Sequence, residues 1–166
     1  QIILKEGKNH NLSHCGSHAM DTMRMESGFL HWGHDISPEE NQYEAGLNFA
    51  ISFNKKTNFI GKESLLKIKD KKVDRRFIML SLIDNNPGYP LLLQEEPIYL
   101  NDKIIGRTTS GNYSFNYNKN LSFGYVKSEY SNEELMKMEL YIEVAKQKYQ
   151  AKVEVNPLKD KQARFL

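Results

Sequence analysis

Three of the chain's five histidines, His10, His14 and His18, fall at i, i+4 and i+8. On one continuous helix they would share a face. Imidazoles so placed are candidate ligands for a transition metal, and Cys15 and His34 add two more donors. The plain alternative is a polar helix face, and no HExxH or CxxC motif sharpens the metal reading. A denser patch is His31-Trp-Gly-His-Asp35. There a lone Trp32 could stack on a planar ring while the imidazoles and Asp35 fix its orientation. A loop anchored by a buried Trp explains the same residues more simply. In Gly106-Arg-Thr-Thr-Ser-Gly-Asn-Tyr113, Arg107 is suited to meet a carboxylate or phosphate and Tyr113 to line a cleft. The segment lacks the Gly-Lys-Ser/Thr of a phosphate loop, and a β-turn with an exposed Arg fits it equally well. Asp21 and Arg24 are i, i+3 neighbours, so an ion pair on one helix is their default. No Ser/His/Asp or Cys/His constellation stands out.

These residues need elements to place them. Asn11 to Glu26 reads as a helix, with Leu12, Cys15, Ala19, Thr22 and Met23 on one side and Ser27-Gly28 as its stop. Phe29 to Ile36 is a loop. Ser37-Pro-Glu-Glu40 has the form of a capping box with Pro at the first helical position, predicting a short helix. Leu47 to Phe53 is strand-like, and Gly61 to Lys69 is an amphipathic helix. After the charged connector Asp70 to Arg76 the pattern turns to β. Strands are expected at Phe77–Ile83, at Glu96–Leu100 and Lys103–Ser110 about an Asn101-Asp102 turn, and at Leu121–Val126. Two more follow, Leu140/Ile142/Val144 and Tyr149/Ala151/Val153/Val155, across Lys146-Gln147. So many short strands predict a small barrel or sandwich.

Composition excludes several classes. With 39% hydrophobic residues and a net charge of +2 over 166 residues, disorder is not expected. No stretch approaches the ~18 apolar residues of a membrane span. Lys and Arg total 23 against 21 Asp and Glu, so there is no electrostatic footprint for nucleic acid. The single Cys15 cannot close an internal disulfide, which suits the cytoplasm or another reducing compartment.

Taken in order, the segments Gly16–Gly28 (GSHAMDTMRMESG), His31–Ile36 (HWGHDI), Glu44–Leu47 (EAGL) and Phe59–Leu65 (FIGKESL) resemble the folate-binding aminomethyltransferase family. This is the family of the glycine cleavage T-protein. The Trp-Gly-His-Asp form, with Glu96–Tyr99 (EPIY), Gly106–Gly111 (GRTTSG) and Phe123–Val126 (FGYV), is most similar to the C-terminal region of dimethylglycine and sarcosine dehydrogenases. The resemblance runs from about Lys5 through nearly the whole chain.

It implies an α+β chain: residues 1–72 as the C-terminal portion of a mixed αβ folate-binding domain, and 73–166 as a small antiparallel β-barrel. It also implies a cloverleaf of domains around a folate channel. There a one-carbon unit passes from an aminomethyl or imine adduct to tetrahydrofolate. In the dehydrogenase branch a separate FAD domain first oxidises a small methylated amine, and this sequence holds no Gly-x-Gly-x-x-Gly fingerprint. The family's catalytic Asp and its Gly-Tyr-Thr-Gly-Glu segment belong to a part that would precede Gln1. The chain is therefore expected to work with a missing N-terminal half or a partner chain, and to be inactive alone. Glu26, Trp32, Arg107 and Tyr113 are the implied cofactor-side residues, and interdomain packing is the competing role for each. Members often carry an Arg where this chain has His18 or Met20. Two other readings share the fold: a non-catalytic docking barrel, and a demethylase acting on a sulfonium.

Overall fold

The computed structural model describes residues 1–84 and 86–154, and the expected strand residue Val155 lies outside them. Six antiparallel strands close into a barrel: β1 (Arg75–Leu82), β2 (Pro97–Leu100), β3 (Lys103–Ser114), β4 (Lys119–Lys127), β5 (Leu140–Val144) and β6 (Gln147–Glu154). Their order around the barrel is β1-β4-β3-β2-β5-β6, and β6 returns to β1. Among the described residues four helices accompany it: α1 (Ile2–Gly7), α2 (Ser17–Glu26), α3 (Lys62–Ile68) and α4 (Asn132–Leu135). None is long and apolar enough to cross a membrane.

The barrel follows from period-2 patterning. Ile78, Leu80 and Leu82 of β1, Ile98 and Leu100 of β2, Leu140 and Ile142 of β5, and Ala151 and Val153 of β6 alternate into one core. β1 is apolar on its other face too. Met79, with Phe77 beside it, joins Leu121 and Phe123 of β4 and Met25 of α2 in a second core outside the barrel. That layer holds the N-terminal part against the barrel wall. Two turns show why hairpin register is firm. Asn101 and Asp102 have φ of 47° and 62°, and Ala145 and Lys146 have 50° and 66°. Each pair is the left-handed two-residue loop that matches strand twist.

Several expectations are corrected. The helix expected over Asn11 to Glu26 begins at Ser17, as α2; Asn11 is left-handed at φ 53° and Gly16 is the extended cap. His10 sits in a 3-10 turn, so His10, His14 and His18 do not share a helical face. The Ser37 box forms locally, with Glu40 Oε2 accepting from Ser37 N and Oγ at 2.8 and 2.6 Å, yet no helix follows it. A second turn of the same kind, Asn41 to Glu44, comes at once, and Gly46 at φ 69° ends the run. Both carboxylates are drawn to Arg75, Glu40 at 2.9 Å and Glu44 at 3.7 Å. Leu47–Phe53 is not a strand but a 3-10 turn at Asn48–Ala50. Among the described residues it finds no edge to pair with, because a closed barrel offers none. Gly61–Lys69 is helical as expected, at Lys62–Ile68. β3 runs on to Ser114, past the strand end expected at Ser110.

Candidate functional site

α2 lies across β3, tied at four levels. Asn112 Nδ2 donates to the His18 carbonyl (3.1 Å), Thr22 Oγ1 to the Tyr113 carbonyl (3.2 Å), Arg24 Nη2 to Ser110 Oγ (2.9 Å), and Ser114 Oγ to Glu26 Oε1 (2.5 Å). The His31–Ile36 loop closes the third side. It is a tight turn in which Gly33, at φ 89°, donates its N–H to the Ile36 carbonyl (2.7 Å).

At the meeting point sits Asp35, 1% exposed. Its Oδ2 accepts from Arg24 Nη1 (2.7 Å) and the His31 N–H (2.8 Å), and its Oδ1 from Thr109 Oγ1 (2.6 Å) and Ser110 Oγ (2.7 Å). A buried carboxylate with four donors, one of them a guanidinium, is the arrangement in which burying charge is tolerated. Consecutive strand residues normally face opposite ways. Thr109 and Ser110 both reach Asp35 because the β3–β4 register slips there: Thr108 pairs with Gly124 and Ser110 with Phe123. Tyr125 hydroxyl donates to the Asp35 carbonyl (2.9 Å), and burial pushes that phenol well above its ordinary range. Arg24 is oriented further by Asp21 (2.8 Å), the i, i+3 pair expected from the sequence.

Above this node opens a cleft of about 310 Å³. Its walls are His18, Asp21 and Arg24 of α2, His31 and His34 of the loop, Leu93 and Gln94 from the β1–β2 connection, and Thr109 to Asn112 of β3. His31 and His34 rings stand 4.5 Å apart, and His34 Nδ1 meets Gln94 Oε1 at 3.2 Å. Gly111 lets the β1–β2 connection lie this close: a Cβ there would sit 2.5 Å from the Leu92 carbonyl carbon.

The four residues singled out from the sequence do not come together around this cleft. Glu26 is 3% exposed and bonds Ser114 and Asn116, clamping α2 to the end of the β3–β4 hairpin. Tyr113 is buried with its ring edge against Phe115. Arg107 pairs with Glu95 at 2.9 Å in solvent. Trp32 is 65% exposed, so it is not the buried anchor its type suggests. The node depends on Asp35, Thr109 and Ser110, which lie in two segments singled out from the sequence, but neither segment pointed to the other. Thr109 and Ser110 are 74 and 75 positions away from Asp35, beyond reach of any spacing rule. Among the described residues no group of three His, Cys, Asp or Glu side chains is placed to hold a metal ion.

Comparison with known proteins gives these segments a lineage. The glycine cleavage T-protein C-terminal barrel domain matches residues 75–160, and the GCVT N-terminal domain matches 1–55. Human mitochondrial dimethylglycine dehydrogenase is 36% identical over 129 residues, 78% of this chain and 14% of that protein. The 4-methylaminobutanoate oxidase (formaldehyde-forming) of Paenarthrobacter nicotinovorans is 40% identical over 111 residues, 67% of this chain and 13% of that one. An aminomethyltransferase of Symbiobacterium thermophilum is 34% identical over 131 residues, 79% of this chain and 34% of the relative. The chain thus spans a minor share of each relative's length. The crystal structure of glycine cleavage system aminomethyltransferase T from Bartonella henselae superposes with a TM-score of 0.73. It is 24% identical, over 85% of this chain and 38% of that one, and shows the shared fold. The chain belongs to the glycine cleavage T-protein family.

Proposed function

We propose that this chain is part of a tetrahydrofolate-dependent one-carbon transfer enzyme. The donor is an aminomethyl or imine species, derived from glycine or from a methylated amine such as dimethylglycine or sarcosine. The observation that carries this reading is convergence: three of the segments that carry the family resemblance meet at one open cleft, on a buried Asp35–Arg24 pair. A cleft of about 310 Å³ is at the lower end of small-molecule sites. It suits one end of a folate, the rest being held by the remainder of the protein. Trp32, in the same loop as the two cleft imidazoles and 65% exposed, would be free to cover an aromatic ring.

In this reading the chain's own residues bind and orient. The buried Asp35 network fixes the cleft's floor, so that the walls keep their spacing when ligand arrives. Holding both reactants in one dry channel favours capture of the one-carbon unit over its loss to water. Oxidation of an N-methyl amine, where that is the donor, belongs to a separate FAD domain.

The test expresses the whole reading frame that contains this sequence and offers tetrahydrofolate with each donor in turn: dimethylglycine, sarcosine and an aminomethyl-carrier protein. Methylenetetrahydrofolate forming with one of them, and falling at least tenfold in Asp35→Asn, supports the assignment. No folate-dependent product from any donor overturns it.

A further inference from the structure

The chain's charge is unevenly spread. Residues 55–72 hold seven lysines against two acids, Glu63 and Asp70, a net +5 in eighteen residues. With +2 over all 166 residues, the other 148 carry −3. Six of the seven lysines are exposed. Among the described residues none of the seven pairs with a carboxylate, whereas Lys119, Lys148 and Lys152 of the barrel each meet one. The segment is folded into one patch rather than strung out. Phe53 and Phe59 bring their rings to 6.5 Å, with Lys55 Nζ 4.7 Å over the Phe59 ring and Lys69 Nζ 5.5 Å over that of Phe53. The 54–58 loop and the end of α3 therefore stand side by side. Tyr43 hydroxyl donates to the Leu65 carbonyl (3.3 Å) and ties α3 to the turn before it. Leu66 is left 46% exposed, and Ile60, next after Phe59, is wholly exposed.

We propose that this patch seats the protein on an anionic bilayer surface, its lysines among the lipid headgroups and Ile60 and Leu66 at the edge of the acyl layer. Like charges gathered without counter-charges repel one another, and a negatively charged surface relieves that repulsion. Lysine clusters beside exposed aliphatic side chains are the composition by which a protein lies on a membrane without crossing it. The long lysine stems let ammonium groups stay at headgroup level while an aliphatic neighbour enters. That aliphatic pair favours lipid over nucleic acid. A phosphate backbone would use the lysines equally well, but it gives Ile60 and Leu66 nothing to enter. The rings that could stack on bases, Phe53 and Phe59, are already faced by Lys69 and Lys55. None of these residues lines the cleft above Asp35, so the contact uses no part of the candidate site.

The test mixes the full-length protein that contains this chain with sedimenting vesicles, of phosphatidylcholine alone or with about 30% phosphatidylserine. Binding is expected to the mixed vesicles only. It should fall at least about tenfold between about 0.1 M and about 0.5 M salt, as screening shortens the field. Each lysine near such a surface strengthens binding about fivefold. Lys56→Gln, Lys67→Gln, Lys71→Gln and Lys72→Gln together should therefore weaken it more than about tenfold. Those four side chains are exposed and outside every ion pair among the described residues, so the urea midpoint should not move. Ile60→Ser should weaken binding by the same factor at either salt, about threefold, because apolar burial is not screened. No sedimentation with the mixed vesicles, equal sedimentation with phosphatidylcholine alone, or full binding by the four-lysine variant overturns the proposal. So does a single-stranded RNA oligomer that displaces the protein while Ile60→Ser binds vesicles like wild type, since the patch would then read any polyanion.

Discussion

Asp35 has no uncommitted lone pair worth the name: two donors on each oxygen, one of them a guanidinium, and almost no solvent. Replacing it with Asn keeps the volume but turns one acceptor into a donor facing donors. Arg24 would keep Asp21 but lose its buried counter-charge. Asp35→Asn is therefore expected to cost about 3 kcal/mol, the low end for breaking a buried pair, read as a shift in urea midpoint. Thr109→Val removes one donor of four and should cost about 1 kcal/mol. If the two variants came out equal, Asp21 alone would be sufficient to hold Arg24 in place. The same residue shows what a sequence can and cannot say. His31–Asp35 is conspicuous by type, and Asp21–Arg24 follows from helical spacing. That Asp35 meets Thr109 and Ser110 together depends on a one-residue slip in a strand more than seventy positions away. No local pattern carries that.

Among elements, strands were the legible ones. A half-buried strand must alternate, and β5 and β6 do so in the sequence itself, while β1 shows as an unbroken apolar run because both its faces are covered. Elements set by tertiary competition were not. The Ser37 box has every local requirement of a helix start, but Arg75 recruits its Glu40 and the following Glu44, and the chain makes two turns instead. The β1–β6 seam offers a test at this scale, since it closes the barrel. Glu154 on β6 accepts from Ser81 of β1 (2.6 Å) and Lys119 of β4 (2.8 Å). Burial pushes the Glu154 carboxyl up, but those bonds and the nearby ammonium groups outweigh it, leaving the group below its usual 4.5. A carboxyl lowered on folding stabilises above its unfolded value and loses that contribution as pH falls through the folded value. Lys119→Met should thus cost about 0.5–1 kcal/mol near neutral pH. The gap between variant and wild type should close as pH drops below the usual carboxylate value of about 4.5 in parallel urea titrations. A gap that persisted at acid pH would assign Lys119's effect to packing.

For the whole molecule, burial divides the chain unequally. The barrel and α2 share two contiguous cores joined through β1 and β4. In contrast, α1, the two 3-10 turns and α3 bury no residue fully, and Ile2, Ile3, Phe49 and Ile60 are each at least 76% exposed. Stability follows buried apolar contact, so opening free energy should be graded rather than uniform. Native-state hydrogen exchange is expected to show β1, β4 and the Met25–Glu26 end of α2 exchanging together by the slowest, global opening. α1 and α3 should exchange faster by orders of magnitude. Met25→Ala removes the one α2 side chain fully enclosed by Phe123 and Met79 and should cost about 2–5 kcal/mol. If α2 is coupled to the barrel as this layer implies, that variant lowers protection in β4 as well as in α2. Loss confined to α2, with β4 unchanged, would mean that the barrel is a unit by itself and that the cleft's histidine wall opens independently of it.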